Sequence, residues 1–203
     1  MKFRTLNLNK AIVVEFEEIT LPEPKHLGFI NKPAYSNQYE GKRHTAVLEN
    51  QNQVNKFFTD LFFEVVYPEL LQEPTVRDEY PFNLSFMKDN TFIGADFVKD
   101  DIGWEQPYHF DNRSYIMAGS FHLHDSLPNG TQIYGERKDY FQGSIYQTPS
   151  RKNSGGFWLN NMFSGHAVNK VVDTHRLFYL VHVLWKLNYT RWDPTEIKQY
   201  SKN

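Results

Sequence analysis

Residues 115–134 read YIMAGSFHLHDSLPNGTQIY: two short apolar runs, Tyr115–Leu123 and Thr131–Tyr134, parted by a polar stretch that closes on Asn129-Gly130. Apolar runs of this length, bounded by Asp, Pro, Asn and Gly, mark strands joined by turns. The pattern extends both ways. Upstream lie Phe82–Met87 and Thr91–Val98; downstream lie Phe157–Met162, Ala167–Val172 and a longer run, Leu177–Leu187. Asp-Asn, Asn-Gly and Ser-Gly-Gly sequences separate them. Roughly eight such strands predict an antiparallel sandwich or barrel, a mostly β fold.

The N-terminal part reads differently. Phe3–Leu21 alternates around Ala11-Ile12-Val13-Val14 like strand, and Pro22 and Pro24 end it. Residues 28–45 are rich in Asn, Gly, Tyr and Pro and read as loop. Val54, Phe57, Phe58, Leu61, Phe62, Val65 and Val66 recur at helical spacing, which predicts a helix over Asn52–Leu71, stopped by Glu73-Pro74. A lone helix ahead of the strands is expected to pack outside one sheet. A chain of 203 residues fits one domain, with residues 1–80 as strand and helix support and 81–190 as the β core.

Composition narrows the function. Aromatic residues make up 16% of the chain, with 17 Phe and 12 Tyr, a loading that favours half-buried β surfaces and aromatic-lined pockets over a helical bundle. The net charge of -2 is dispersed, so no basic groove points to nucleic acid and no basic face to a membrane. Two short basic clusters, Lys42-Arg43-His44 and Arg151-Lys152, read as solvated loop ends. The absence of cysteine excludes disulfide scaffolds, zinc ribbons and thiol nucleophiles and suits an intracellular protein. Acidic residues break the apolar stretch near the N-terminus, and no window has the length of a membrane span, so a soluble, cytoplasmic protein is expected.

The chemistry lies in Tyr108-His109-Phe110-Asp111. On extended backbone, positions i and i+2 share a face, so the His109 imidazole and the Asp111 carboxylate can meet on one ion. An H-x-D motif by itself arises easily by chance. His166 stands downstream in Phe163-Ser164-Gly165-His166-Ala167-Val168, at a strand start beside a small-residue turn. From there it can cross as a third ligand, or serve as a hydrogen-bonded core histidine. Two histidines and one carboxylate form the ligand set of non-haem Fe(II) with open coordination positions. Arg176, ten residues beyond His166, enters the apolar run Leu177-Phe178-Tyr179. A cation there needs an anionic partner, either a bound carboxylate or a salt bridge to Asp173 or another internal acid.

Together the H-x-D motif, the distal His166 and the spaced Arg176 resemble the Fe(II)/2-oxoglutarate-dependent dioxygenase superfamily, in its prolyl-hydroxylase-like branch. Phe121-His122-Leu123-His124-Asp125 with Asn129-Gly130-Thr131 resembles the strand and turn between the metal motifs, and Phe157-Trp158-Leu159-Asn160 the strand that delivers the distal ligand. The likeness covers about residues 90–187 and leaves the N-terminal part unmatched. It implies a double-stranded β-helix (jelly-roll, cupin-like) with N-terminal helices outside. It further implies Fe(II) on His109, Asp111 and His166, and 2-oxoglutarate held at its distal carboxylate by Arg176. His122 stands where relatives often use a tyrosine for a second contact. The implied reaction uses O2, with ascorbate in support, to hydroxylate an unactivated C–H bond of a peptidyl or free amino-acid substrate, releasing succinate and CO2. Asp111 disfavours halogenation, which goes with a small residue at that position.

Trp104, Tyr108, Arg113, Tyr115 and Trp158 flank the motifs as candidate substrate contacts, and each also suits plain packing. Gln147–Gly156 reads as an exposed connection or a mobile lid. The partner expected is a small molecule or peptide. Two rival readings remain. A cupin-like metal site on His122, His124 and His166 lacks the glutamate that should follow H-x-H and leaves Arg176 unexplained. A non-enzymatic jelly-roll module, for binding or for structure, has no need of an iron triad with a spaced arginine.

Overall fold

The register of the strands decides which side chains can meet. The computed structural model describes residues 1–31, 42–74, 76, 84–111, 114–126, 128–135, 143–161 and 163–186. Among these the strands are β1 (Lys2–Leu8), β2 (Ala11–Glu17), β3 (His26–Asn31), β4 (Arg43–Leu48), β5 (Thr91–Asp100), β6 (Gln106–His109), β7 (Tyr115–His122), β8 (Gln132–Gly135), β9 (Tyr146–Gln147), β10 (Ser154–Leu159), β11 (Gly165–Val168) and β12 (Arg176–Trp185). They form an eight-stranded sheet in the order β1-β2-β10-β7-β12-β5-β4-β3 and a four-stranded sheet in the order β6-β11-β8-β9. From β5 onward the chain passes back and forth between the two. The resulting quartets, β10-β7-β12-β5 facing β6-β11-β8-β9, make a double-stranded β-helix, and the pairings among the described strands are antiparallel.

Opposed residues in an antiparallel ladder point to the same face. Following the pairings across the large sheet gives four rows on its inner face. They are Arg43–Asp100–Arg176; Thr45–Val98–Phe178–His122–Ser154; Asp96–Leu180–Ser120–Gly156–Glu15–Arg4; and Gly94–His182–Ala118–Trp158–Val13–Leu6. The outer face carries the intervening residues, among them Phe16, Phe97, Phe121, Phe157, Tyr179 and Val181, all buried.

A helical run covers that outer face: α1 (Gln51–Leu61), one π-helical stretch at Phe62–Val66, and α2 (Tyr67–Gln72). Phe58 of α1 is fully buried, with ring centroids 5.1 Å from Phe121 and 5.4 Å from Tyr179. The expected helix is therefore present, and Glu73 leaves it with extended backbone just before Pro74. No helix among the described residues is long and apolar enough to cross a membrane.

Four expectations change. Phe3–Leu21 is a hairpin rather than one strand, because Asn9 and Lys10 both take positive φ (52° and 73°), as a two-residue turn requires. The reading of residues 28–45 as loop fails at both ends, where β3 and β4 extend the large sheet. Phe82–Met87 is not a strand: α3 (Leu84–Asn90) occupies its described part, in a stretch without a β-branched residue, and buries Met87. Gly155-Gly156 belongs to β10 rather than to a turn; Gly155 sits where an added Cβ would strike the β7 backbone at Ser120. From the N-terminal part, β2 and β4 place Glu15 and Arg43 on the inner face.

Candidate metal centre and anion pocket

The short sheet delivers the three ligand-type residues. His109 ends β6 and His166 lies directly opposite it on β11, with ring centroids 4.3 Å apart. The register of β11 shifts around His166 against both β6 and β8, the kind of irregularity that re-aims a side chain. Gly165 permits this arrangement, because the Tyr108 ring fills the space a Cβ would take. Asp111 follows β6, with its carboxylate oxygens 3.9 Å from His109 Nε2 and 3.6 Å from His166 Nε2. One ligating atom from each of the three lies within 4.8 Å of the others, and no other such group of three occurs among the described residues.

The chemistry of these atoms fits a metal ion. His109 Nδ1 lies 2.9 Å from the Pro107 carbonyl and His166 Nδ1 3.1 Å from the Ser164 carbonyl. A carbonyl only accepts, so both Nδ1 atoms donate, and Nε2 of each ring keeps its lone pair. Backbone groups that fix a tautomer in this way commonly support metal-ligating histidines. Burial is the main influence on His166 and lowers its pKa, partly offset by the Asp111 carboxylate, so the ring favours its neutral form. Asp111 Oδ2 is buried without a hydrogen-bond partner among the described residues. Gln106 Nε2 lies 3.0 Å from His109 Nε2 and donates to it, a contact that a bound ion would replace.

Arg176 lies at the other end of the inner face, 1% exposed. It does form an internal salt bridge, to Asp100 rather than Asp173: Nη1 donates to Asp100 Oδ2 at 3.2 Å, and Nη2 to Thr131 Oγ1 at 3.4 Å. Its Nε has no partner among the described residues. Arg43 grips the same Asp100 carboxylate through Nε at 2.6 Å and Nη2 at 2.9 Å. Burial lowers the Arg176 pKa to about 10, with Asp100 opposing and Arg43 adding to the shift, so it remains cationic at neutral pH.

His122, fully buried, stacks on Phe178 with centroids 5.6 Å apart, and Ser126 Oγ lies 2.9 Å from its Nδ1. Among the described residues its Nε2 has no hydrogen-bond partner, nor do Thr45 Oγ1, Ser120 Oγ and Trp158 Nε1, all on the same inner face. Buried polar atoms left unpaired cost about 1–3 kcal/mol each, so such a concentration marks a surface built for a polar ligand. His124 turns away and lies beside His175, centroids 4.8 Å apart, so His122, His124 and His166 do not form a metal cluster.

The candidate substrate residues divide. Trp158 faces inward, its ring 5.1 Å from His166. Tyr115 packs edge-on to inner-face His182 at 5.0 Å. Trp104 instead lies under the Arg43 guanidinium, its ring 3.7 Å from the guanidinium carbon, beside the Arg43–Asp100–Arg176 row. Tyr108 points away from the triad, against Phe110 and Tyr134, with its hydroxyl on the Gly135 carbonyl. Arg113 lies outside the described residues. Gln147–Gly156 is tied down rather than lid-like: Thr148 N bonds Thr131 O, Ser126 N bonds Ser150 O, and Asn153 N bonds His122 O. Arg43 and Asp100 escape sequence reasoning altogether, since only the β4–β5–β12 pairing brings them to Arg176.

No protein-family model matches the chain, and no curated protein sequence matches it. Among solved structures it is similar to a prolyl-4-hydroxylase from Pseudomonas putida, at 10% identity over 76% of this chain and 77% of that one, with a TM-score of 0.48. It is also similar to an oxidoreductase of the 2OG-Fe(II) oxygenase family from Burkholderia pseudomallei, at 12% identity over 76% of this chain and 71% of that one, with a TM-score of 0.44.

Proposed function

We propose that this chain is an Fe(II)- and 2-oxoglutarate-dependent oxygenase that hydroxylates an unactivated C–H bond of a peptidyl or free amino-acid substrate. The observation that carries the reading is the convergence of His109, Asp111 and His166 on the short sheet, beside inner-face Trp158, with cationic Arg176 buried on the inner face of the large sheet. In it, His109 and His166 give Nε2 and Asp111 gives a carboxylate oxygen to the iron, three ligands that leave positions for a chelating cosubstrate and O2. Iron so bound supplies the redox chemistry by which 2-oxoglutarate, O2 and substrate C–H yield succinate, CO2 and substrate C–OH, with ascorbate keeping the metal reduced.

The protein's part is to bind, orient and exclude water. Arg176 and Thr131 receive the distal carboxylate of 2-oxoglutarate, and His122, with its unpaired Nε2, supplies a further contact. Phe178 lies against Arg176, 4.4 Å from its guanidinium carbon, and Trp158 against His166, so each end of the site has an aromatic neighbour. Tyr115 stands by inner-face His182 as a candidate substrate contact.

The test is succinate formation from 2-oxoglutarate with Fe(II), ascorbate and oxygen. Slow uncoupled turnover is expected from the unaltered protein and not from His109→Ala or Arg176→Ala. Absence of succinate together with absence of Fe(II) binding would sink the reading in favour of a non-enzymatic module.

A further inference from the structure

Three buried or half-buried charges meet at one corner of the inner face, and they do not cancel. Arg43 and Arg176 carry two positive charges and Asp100 one negative, so the group holds a net single positive charge. Asp100 is fully buried and Arg176 nearly so. A residual buried charge of this kind is unfavourable unless an anion completes it. The Nε of Arg176, buried and without a partner among the described residues, supplies the donor for that anion.

The geometry also shows how Asp100 is divided. Arg43 takes both carboxylate oxygens, at 2.6 and 2.9 Å, in the two-pronged manner that suits guanidinium and carboxylate. Arg176 makes a single, longer bond of 3.2 Å to one of them. Arg43 is held for this task, with its guanidinium carbon 3.7 Å from the Trp104 ring and 5.9 Å from Phe178. Without Arg43, Asp100 would neutralise Arg176 and repel an incoming carboxylate.

We infer that Arg43 is a positioning residue for the cosubstrate: by occupying Asp100 it frees Arg176 to bind one ligand carboxylate, and the pocket's single surplus charge selects a monoanionic end. This rests on the oxygenase reading above. It gives the N-terminal strand β4 a role in cosubstrate binding.

Calorimetric titration of the Mn(II)-loaded protein without oxygen tests it, with 2-oxoglutarate and pyruvate as probes. Pyruvate keeps the 2-oxo acid that chelates the metal and lacks the distal carboxylate. Arg43→Met is expected to weaken 2-oxoglutarate by about tenfold or more, the scale for truncating a buried charge pair, and to leave pyruvate unchanged. Asp100→Asn alone is expected to tighten 2-oxoglutarate, and adding it to Arg43→Met to restore most of the loss. Asp100→Asn also serves if Arg43→Met does not fold. Equal 2-oxoglutarate binding by Arg43→Met and the unaltered protein overturns the inference. So does a parallel loss of both probes, or an Asp100→Asn variant with no gain in affinity. Failure of the unaltered protein to bind either probe overturns the oxygenase reading itself, and this inference with it.

Discussion

His166 and His109 face each other across the β6–β11 ladder with their rings 4.3 Å apart, and each ring is oriented by a backbone carbonyl at Nδ1. Neither imidazole needs to rotate far to present Nε2 to an ion beside Asp111. Two ligand-type residues on neighbouring strands, with a third just past the strand end, take their relative positions from the sheet ladder.

Loss of any one of the three should remove the site. His166→Ala and Asp111→Ala are expected to weaken Mn(II) or Fe(II) binding by more than about 100-fold, beyond the 10–100-fold typical when only a supporting partner is lost. Calorimetry under anaerobic conditions measures this, and retention of tight binding by Asp111→Ala would rule the carboxylate out as a ligand.

Trp158 should report the metal. Its ring is 5.1 Å from His166, and it is one of only four tryptophans, so a paramagnetic ion on the triad should quench a substantial part of the indole emission. In Trp158→Phe the metal-dependent quenching should shrink sharply while calorimetric metal affinity stays close to that of the unaltered chain. Quenching of unchanged size in that variant would place the ion elsewhere.

How much of this could be read beforehand depends on the range of the interaction. The strands of the β core announce themselves through local apolar runs, and His109 with Asp111 through a two-residue spacing. Arg43 and Asp100 do not. Arg43 sits in Lys42-Arg43-His44, which locally is indistinguishable from a solvated loop end, and Asp100 in Lys99-Asp100-Asp101 resembles a polar strand terminus. Their meaning comes from the register of β4, β5 and β12, which aligns residues 43, 100 and 176 in one row, and register is a property of the assembled sheet. Tyr108 shows the converse. Its neighbour His109 is one of the triad, so alternation turns Tyr108 away, and proximity in sequence misleads.

The outer face should fail independently of the site. Phe58→Ala leaves a cavity between α1 and the rings of Phe121 and Tyr179, and a loss of about 3–5 kcal/mol is expected. Denaturant unfolding reads the loss. Metal affinity at temperatures where the variant stays folded should be unchanged, because Phe58 packs on the face opposite the inner-face rows.

Stability should fall on acidification, and His122 should account for part of the fall. Burial first, then the Arg176 cation, then His124, keep the His122 pKa well below the ordinary value of 6.5. The folded chain therefore keeps this ring neutral while the unfolded chain protonates it below about pH 6.5. Within that window the unfolded state binds more protons, so stability decreases as pH falls, by at most about 1.4 kcal/mol per pH unit for one such group. His122→Gln cannot titrate, and its thermal midpoint should drop less between about pH 7 and pH 5. His166, also depressed by burial, contributes in the same direction, so the dependence should flatten rather than vanish. An identical pH profile in His122→Gln would contradict the burial of a neutral ring.

Gly165 offers the most selective test of how the ligands are aimed. An added Cβ would collide with the Tyr108 ring, which lies across the start of β11 one residue before His166. Gly165→Ala must then displace either Tyr108, which gives up its 3.3 Å bond to the Gly135 carbonyl, or the β11 backbone that carries His166. Metal affinity separates the two. If the backbone moves, affinity should fall about 10–100-fold, as when other supports of a metal ligand are lost. Tyr108→Ala, which empties the space, should then restore affinity to Gly165→Ala in the double variant. Full affinity in Gly165→Ala alone would mean that Tyr108 yields and that β11 holds His166 without its help.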